Sequence, residues 1–139
     1  MPEAQNSPLE TQYAKPMTQP LPLQRWSDLP LEALSSTLER RYISTETMTL
    51  AQIFLKKGCV VPLHQHENEQ IAYILEGKLR FWLGANDEQC FDVGAGEVLV
   101  IPPNVPHRAE ALEDTLDLDV FSPPRADWAS GDDAYLRGK

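Results

Sequence analysis

The chain contains three histidines, His64, His66 and His107, and the first two lie two residues apart in the stretch CVVPLHQH (59–66). On a β-strand that spacing turns both rings to one face with Cα atoms about 7 Å apart, close enough to pinch one cation. Gln70 opens the next apolar run after the polar turn Glu67-Asn68-Glu69. It shares parity with Ala72 and Ile74, so it leans to the same side with apolar residues behind it. His107 ends the string IPPNVPH, whose prolines fix backbone torsions and so place a third ring by rigid turn rather than by flexible loop. Three imidazoles and an amide oxygen suit one divalent transition-metal ion, be it Zn, Ni, Fe, Mn or Cu, and ligand type alone does not choose among them. Such a set is neutral, so the ion keeps its whole charge and is a strong Lewis acid toward an anionic substrate. Glu67 and Glu69 are rival carboxylate ligands, although the turn they occupy reads as solvated.

A second group lies near the C-terminus. TLDLDVFS (115–122) alternates, with Leu116, Leu118 and Val120 on one face and Asp117, Asp119 and Phe121 on the other. From alternation alone, the commoner arrangement has the leucines in the core and the aspartates in water. The opposite arrangement turns Asp119 and Phe121 inward and packs the leucines against another sheet or subunit. Arg125 follows after Ser122-Pro123-Pro124. Its charge matters because the chain carries a net charge of -9. A balance so acidic argues against a nucleic-acid partner, and an anionic substrate would need a local cation to bind at all.

The elements that must position these residues are short. Residues 1–25 hold five prolines among Gln, Ser and Thr and read as an extended arm without a core of its own, whereas 26–139 reads as one domain. Trp26–Ser36 reads as a helical turn or an irregular lead-in. Strands are expected at 38–45, 48–58, 59–66, 70–77, 78–84, 89–94, 97–103, 107–112 and 115–122, with turn residues between them. So many short strands, with no long helical pattern, predict an all-β sandwich or barrel. PPRADWASGDDAYLRGK reads as a loop and a short terminal piece. No apolar run approaches the ~18 residues of a membrane span, and MPEAQNSPLE has no leader character, so the expectation is a soluble cytoplasmic protein. Cys59 and Cys90 both read as reduced thiols packed in apolar surroundings.

Two spaced motifs carry a resemblance. Gly58-x5-His64-x-His66-x3-Gln70-x6-Gly77 resembles the first cupin motif, and Gly96-x5-Pro102-x4-His107 resembles the second. The resemblance implies a double-stranded β-helix, or jelly roll, with a metal inside one end of the barrel, and it selects Gln70 over the neighbouring glutamates as fourth ligand. The chain departs from the common pattern in two places, with Gln70 where many cupins have Glu and Ala111 where many have Asn.

The strings HQHENEQIAYILEGKL, VIPPNVPH and LDVFSPPRADW are further similar to the KdgF-like cupins of pectin and alginate breakdown, which open the ring of 4,5-unsaturated uronates to the linear keto acid. In that group Asp-x-Phe-x3-Arg lines the cavity, and it matches Asp119, Phe121 and Arg125. The resemblance implies that Arg125 grips the substrate carboxylate through two parallel hydrogen bonds, that Asp119 moves protons, and that Phe121 dries the site. The expected partner is a small sugar acid. Two other readings stay open: a cupin dioxygenase on a small chelating substrate, and a non-catalytic sugar-binding or sensor barrel. Arg80 and Arg108 read as surface cations. QIAYILEG and KLRFWLG are apolar on both faces where a barrel needs one, so a homodimer is expected.

Overall fold

Period-two patterning becomes ten strands among the residues that the computed structural model describes, 23–138. They are β1 (Glu32–Ala33), β2 (Leu38–Ser44), β3 (Thr49–Leu55), β4 (Val60–His64), β5 (Glu69–Glu76), β6 (Lys78–Leu83), β7 (Gln89–Gly94), β8 (Val98–Ile101), β9 (His107–Ala111) and β10 (Thr115–Ser122). A 3-10 turn at Trp26–Asp28 precedes them, and a short helix α1 (Ala126–Ser130) and a second 3-10 turn (Ala134–Arg137) follow. The arm expected over 1–25 lies outside the described residues but for Leu23, Gln24 and Arg25.

The strands form two antiparallel sheets, one ordered β1-β2-β3-β10-β5-β8 and the other β4-β9-β6-β7. The chain crosses repeatedly from one sheet to the other, and the last strand inserts between β3 and β5, which is the jelly roll that the sequence implies. β3, β5, β6, β9 and β10 bury alternate side chains. β3 contributes Ala51, Ile53 and Leu55, β5 contributes Ala72 and Ile74, and β6 contributes Leu79, Phe81 and Leu83 to one core between the sheets. Gly77 joins β5 to β6 at a φ of +90°, and a side chain there would lie 2.3 Å from the Asp114 carbonyl oxygen. Only glycine satisfies both constraints.

The second apolar face expected on β5 is present, whereas β6 turns Lys78, Arg80 and Trp82 outward, two of them charged, so the expectation fails for KLRFWLG. Ile71, Tyr73 and Leu75 of β5 and Val98 and Val100 of β8 are exposed on the outside of the larger sheet. Ile71 pairs with Val100 and Tyr73 with Val98, and on the other flank Leu118 and Val120 of β10 pair with Tyr73 and Ile71.

Three expectations need correction. β1 is absent from the sequence reading because two residues carry no period. β4 ends at His64 rather than at 66, and its ladder with β9 shifts register between Val61 and His64. Cys90 is exposed, unlike the buried Cys59, because its ladder partner Trp82 lies in the outer layer under the Arg108 guanidinium, 3.6 Å from the ring centroid.

Candidate functional site

His64 and His107 face each other as ladder partners at the end of the β4–β9 pair. Their ring centroids are 4.2 Å apart. His66 stands beyond the end of β4, so the strand geometry expected for it does not apply. It is held instead from the facing turn, where the Asn104 N–H donates to the His66 carbonyl at 2.8 Å. Asn104 achieves this in the left-handed region, at φ 61°. Its ring still arrives beside the other two, with centroids 4.9 Å from His107 and 5.6 Å from His64. The three ligand nitrogens lie within 4.8 Å of one another, so the cluster is able to hold a metal ion.

The orientation of the rings suits that use. Each Nδ1 lies against a backbone carbonyl: His64 on Pro62 at 2.7 Å, His66 on Asn68 at 2.9 Å and His107 on Val105 at 2.8 Å. When Nδ1–H donates to those carbonyls, the Nε2 lone pair is the one presented for coordination. Burial, followed by the charge of His107, pushes the His64 imidazolium down to about 3. Burial, followed by Arg125, pushes His66 to about 4, and burial lowers His107 as well. At neutral pH all three rings are therefore uncharged ligands rather than cations.

Gln70 comes from the opposite sheet, paired with Ile101 and Phe121, and its Oε1 sits 3.1 Å from His66 Nε2. With the His66 proton on Nδ1, two lone pairs face each other at that separation. A cation shared between them, or a half-turn of the amide, removes the repulsion. The donor set therefore fits a divalent ion. Glu67 and Glu69 point to solvent, as expected of a hydrated turn, and Asn68 between them is buried. The Asn68 amide donates to the carbonyls of Pro123 and Pro124, which ties the histidine turn to the segment leading into Arg125.

β10 settles the question that alternation left open. Asp117, Asp119 and Phe121 face inward at 3%, 5% and 2% exposure, while Leu116, Leu118 and Val120 face out. Asp119 lies between Ala51 and Ala72 in the ladder, and two alanines leave a hollow where larger side chains would close it. The resulting cavity has a volume of about 60 Å³, and His64, Gln70, His107, Asp119, Phe121 and Arg125 all line it. Burial lifts the Asp119 carboxyl to about 6, and burial together with the neighbouring Asp119 lifts Asp117 well above the ordinary range. One oxygen of each, Oδ1, has no hydrogen-bond partner. Such atoms in a dry interior are costly and mark a place built for a ligand or a proton.

Arg125 is buried, with its backbone N–H on the Thr49 hydroxyl at 2.9 Å and its guanidinium 4.6 Å from the Phe121 centroid. Its expected role needs revision in one respect. The Nε–Nη2 edge that a bidentate carboxylate would use already holds Asp127, at 2.9 and 2.7 Å. Nη2 also donates to the Tyr135 hydroxyl at 2.6 Å. Among the described residues, Nη1 alone is left for an incoming anion. Arg80 and Arg108 are half-buried on the surface and paired with Asp92 and Asp87, as expected of surface cations.

Sequence reading missed four residues around this site. Asp117 shares the parity of Asp119, a visible signal. Asn68, Asp127 and Tyr135 gave none, since each reaches the site through a tertiary contact made by a turn or the terminal segment.

Comparison with known proteins agrees with this geometry. The description "Cupin domain" matches residues 52–122. An uncharacterised protein of Methanocaldococcus jannaschii is 38% identical over 65 residues, covering 46% of this chain and 50% of that one. Oxalate decarboxylase OxdC of Bacillus subtilis is 31% identical over 72 residues, covering 50% of this chain and 19% of its own. The chain thus spans half the length or less of these curated relatives. Among solved structures, KdgF from Halomonas sp. superposes with a TM-score of 0.68 at 27% identity, covering 75% of this chain and 96% of that one.

Proposed function

Because the chain belongs to the cupin family, by a domain match over half its length, we propose that it is a metal-dependent enzyme that opens the ring of 4,5-unsaturated uronates to the linear keto acid. The observation that carries this reading is the common burial of Asp119, Phe121 and Arg125 in one cavity that His64, His107 and Gln70 also line. The likeness to KdgF over nearly the whole of that chain supports it.

An ion held by His64, His66, His107 and Gln70 supplies Lewis-acid polarisation of substrate oxygens when bound. The remaining work falls to the protein. Arg125, through Nη1, holds the substrate carboxylate and supplies the local cation that a chain of net charge -9 otherwise lacks. Phe121 stacks under that guanidinium and excludes water on one side. Asp119 takes the proton from the anomeric hydroxyl as the bond from C1 to the ring oxygen breaks. It then returns a proton to C4 as the enolate becomes a ketone, so the reaction is an isomerisation that needs no co-reactant. A carboxyl lifted to about 6 by burial can both accept and release a proton near neutrality.

The test is direct. The substrate has a C=C bond conjugated with its carboxylate and absorbs in the ultraviolet, and ketonisation removes the band. Metal-loaded protein should bleach that band well above the spontaneous rate, and no acceleration with any of the five candidate metals rejects the reading.

A second reading is favoured by the size of the cavity. About 60 Å³ is well under the ~300 Å³ where ordinary ligand pockets begin. A small chelating acid, as processed by the oxalate decarboxylase relative, would fit without reaching the mouth. Oxygen uptake or carbon dioxide release with such acids would support it.

A further inference from the structure

Beside the residues already assigned, one more polar group lines the same cavity. Tyr135, in the terminal 3-10 turn, stacks on the ring of His64 with centroids 4.6 Å apart and planes 28° from parallel. Its hydroxyl accepts the Arg125 Nη2–H at 2.6 Å, and this is its one hydrogen bond among the described residues. A phenol oxygen that accepts from a guanidinium still has its own proton to give, and the adjacent cation makes it a better donor.

The ring is held there deliberately by charge. Asp133, two residues earlier, is fully buried and receives Arg40 Nη2 and, at 3.0 Å, Arg137 Nε. Glu32 of β1 in turn accepts from Arg40 Nε at 3.2 Å and Arg137 Nη2 at 3.4 Å. Four charged side chains thus tie the four-residue turn that carries Tyr135 to β1 and β2. Packing on His64 alone would be met by phenylalanine. The hydroxyl on Arg125 is the part that packing does not explain.

We propose that the Tyr135 hydroxyl is a substrate-contacting hydrogen-bond donor at the mouth of the site, directed at an acidic oxygen of the ligand that Arg125 holds. The assignment rests on the reading of the site as a receptor for a sugar acid. A uronate is larger than the cavity behind the histidines, so its outer atoms must lie beyond it, and the half-buried Tyr135 hydroxyl, 2.6 Å from Arg125 Nη2, offers a second donor from a different element beside the guanidinium. That pair replaces the two-toothed grip that Asp127 denies to Arg125 alone.

The probe is D-glucuronate, a stable hexuronate, titrated into the full-length zinc-loaded protein by calorimetry, with glucose as the neutral control. Wild type should bind glucuronate and not glucose. Tyr135→Phe keeps the ring on His64 and should weaken glucuronate by roughly tenfold or more, as expected for one hydrogen bond to a charged group. Zinc affinity, measured by competition with a chromophoric chelator, should stay at the wild-type value. Under turnover with an unsaturated uronate the same variant should raise KM by a similar factor and change kcat less. Equal glucuronate affinity in wild type and Tyr135→Phe overturns the proposal and leaves Tyr135 a packing residue. Failure of wild type to bind glucuronate overturns it too. If wild type binds glucuronate but does not bleach the unsaturated substrate, the ring-opening reading falls, and the Tyr135 assignment is then decided by the Phe variant's affinity alone.

Discussion

Converting both Asp117 and Asp119 to asparagine removes two carboxyl groups from a part of the barrel that water barely reaches, at 3% and 5% exposure. Burial lifts the Asp119 carboxyl from its ordinary 3.8 to about 6, and Asp117 moves in the same direction. Each tenfold in ionisation is worth ~1.4 kcal/mol, so keeping one charge on the pair at pH 8 costs the folded state about 3 kcal/mol. The sign follows from which state binds the proton more tightly. The folded-state carboxyl titrates above its unfolded value, so its favourable contribution is complete below pH 4 and is lost as pH rises through about 6. Two amides can also bond to each other, which two carboxylates cannot. Metal-free Asp117→Asn/Asp119→Asn should therefore match wild type at pH 4 and exceed it at pH 8 by up to about 3 kcal/mol. In urea that is a midpoint higher by about 1–2 M. The single variant Asp119→Asn should meanwhile lose ~100- to 10,000-fold in turnover with metal content unchanged. Urea curves at the two pH values, with and without EDTA, check the first part and the ultraviolet assay the second. A double variant no more stable than wild type at pH 8 would refute the reasoning, since it would mean that the native site solvates the carboxylate well.

Other perturbations follow from the same structure. Asp133→Ala leaves the fully buried Arg40 with the more exposed Glu32 as its remaining carboxylate, and Arg40 Nη1 already has no partner; it should cost ~3–5 kcal/mol in thermal unfolding, and a loss under 1 kcal/mol would contradict the buried pairing. Gln70→Glu adds a negative ligand, so it should tighten divalent-metal affinity by roughly tenfold or more while slowing turnover of the anionic substrate; unchanged affinity by chelator competition would remove Gln70 from the ligand set. Tyr73→Glu with Val98→Glu places two charges on the outer apolar face, and light scattering should show a fall from twice the chain mass to once; a wild-type monomer would refute the homodimer.

The strands were most legible where one face is buried, because burial of one face writes a period of two into the sequence. β3 shows it plainly in Thr49, Ala51, Ile53 and Leu55, which are all buried. β10 shows its limit. The period separates its two faces but not which one is inside, and a second apolar layer on the outer sheet face inverts the usual preference for buried leucines. The motif spacing, not the alternation, turned Asp119 inward. His66 shows a different limit, because its placement depends on a hydrogen bond from Asn104, thirty-eight positions on. Tyr135 lies seventy-one positions from the ring it covers, and an ion-pair cluster shared by three segments brings it there. No local pattern encodes contacts of that kind.

The four candidate ligands are divided between the layers of the barrel, with His64 and His107 on the smaller sheet and Gln70 on the larger. An ion seated among them is therefore a rivet through two plates, and pulling the plates apart must first expel it. Its binding free energy then adds to folding stability as RT ln(1 + [M]/Kd), ~2.7 kcal/mol at a hundredfold excess over Kd. The melting temperature of this protein becomes a gauge of the free metal around it, which makes thermal shift in buffered metal solutions a way to rank the candidate ions before any substrate is in hand.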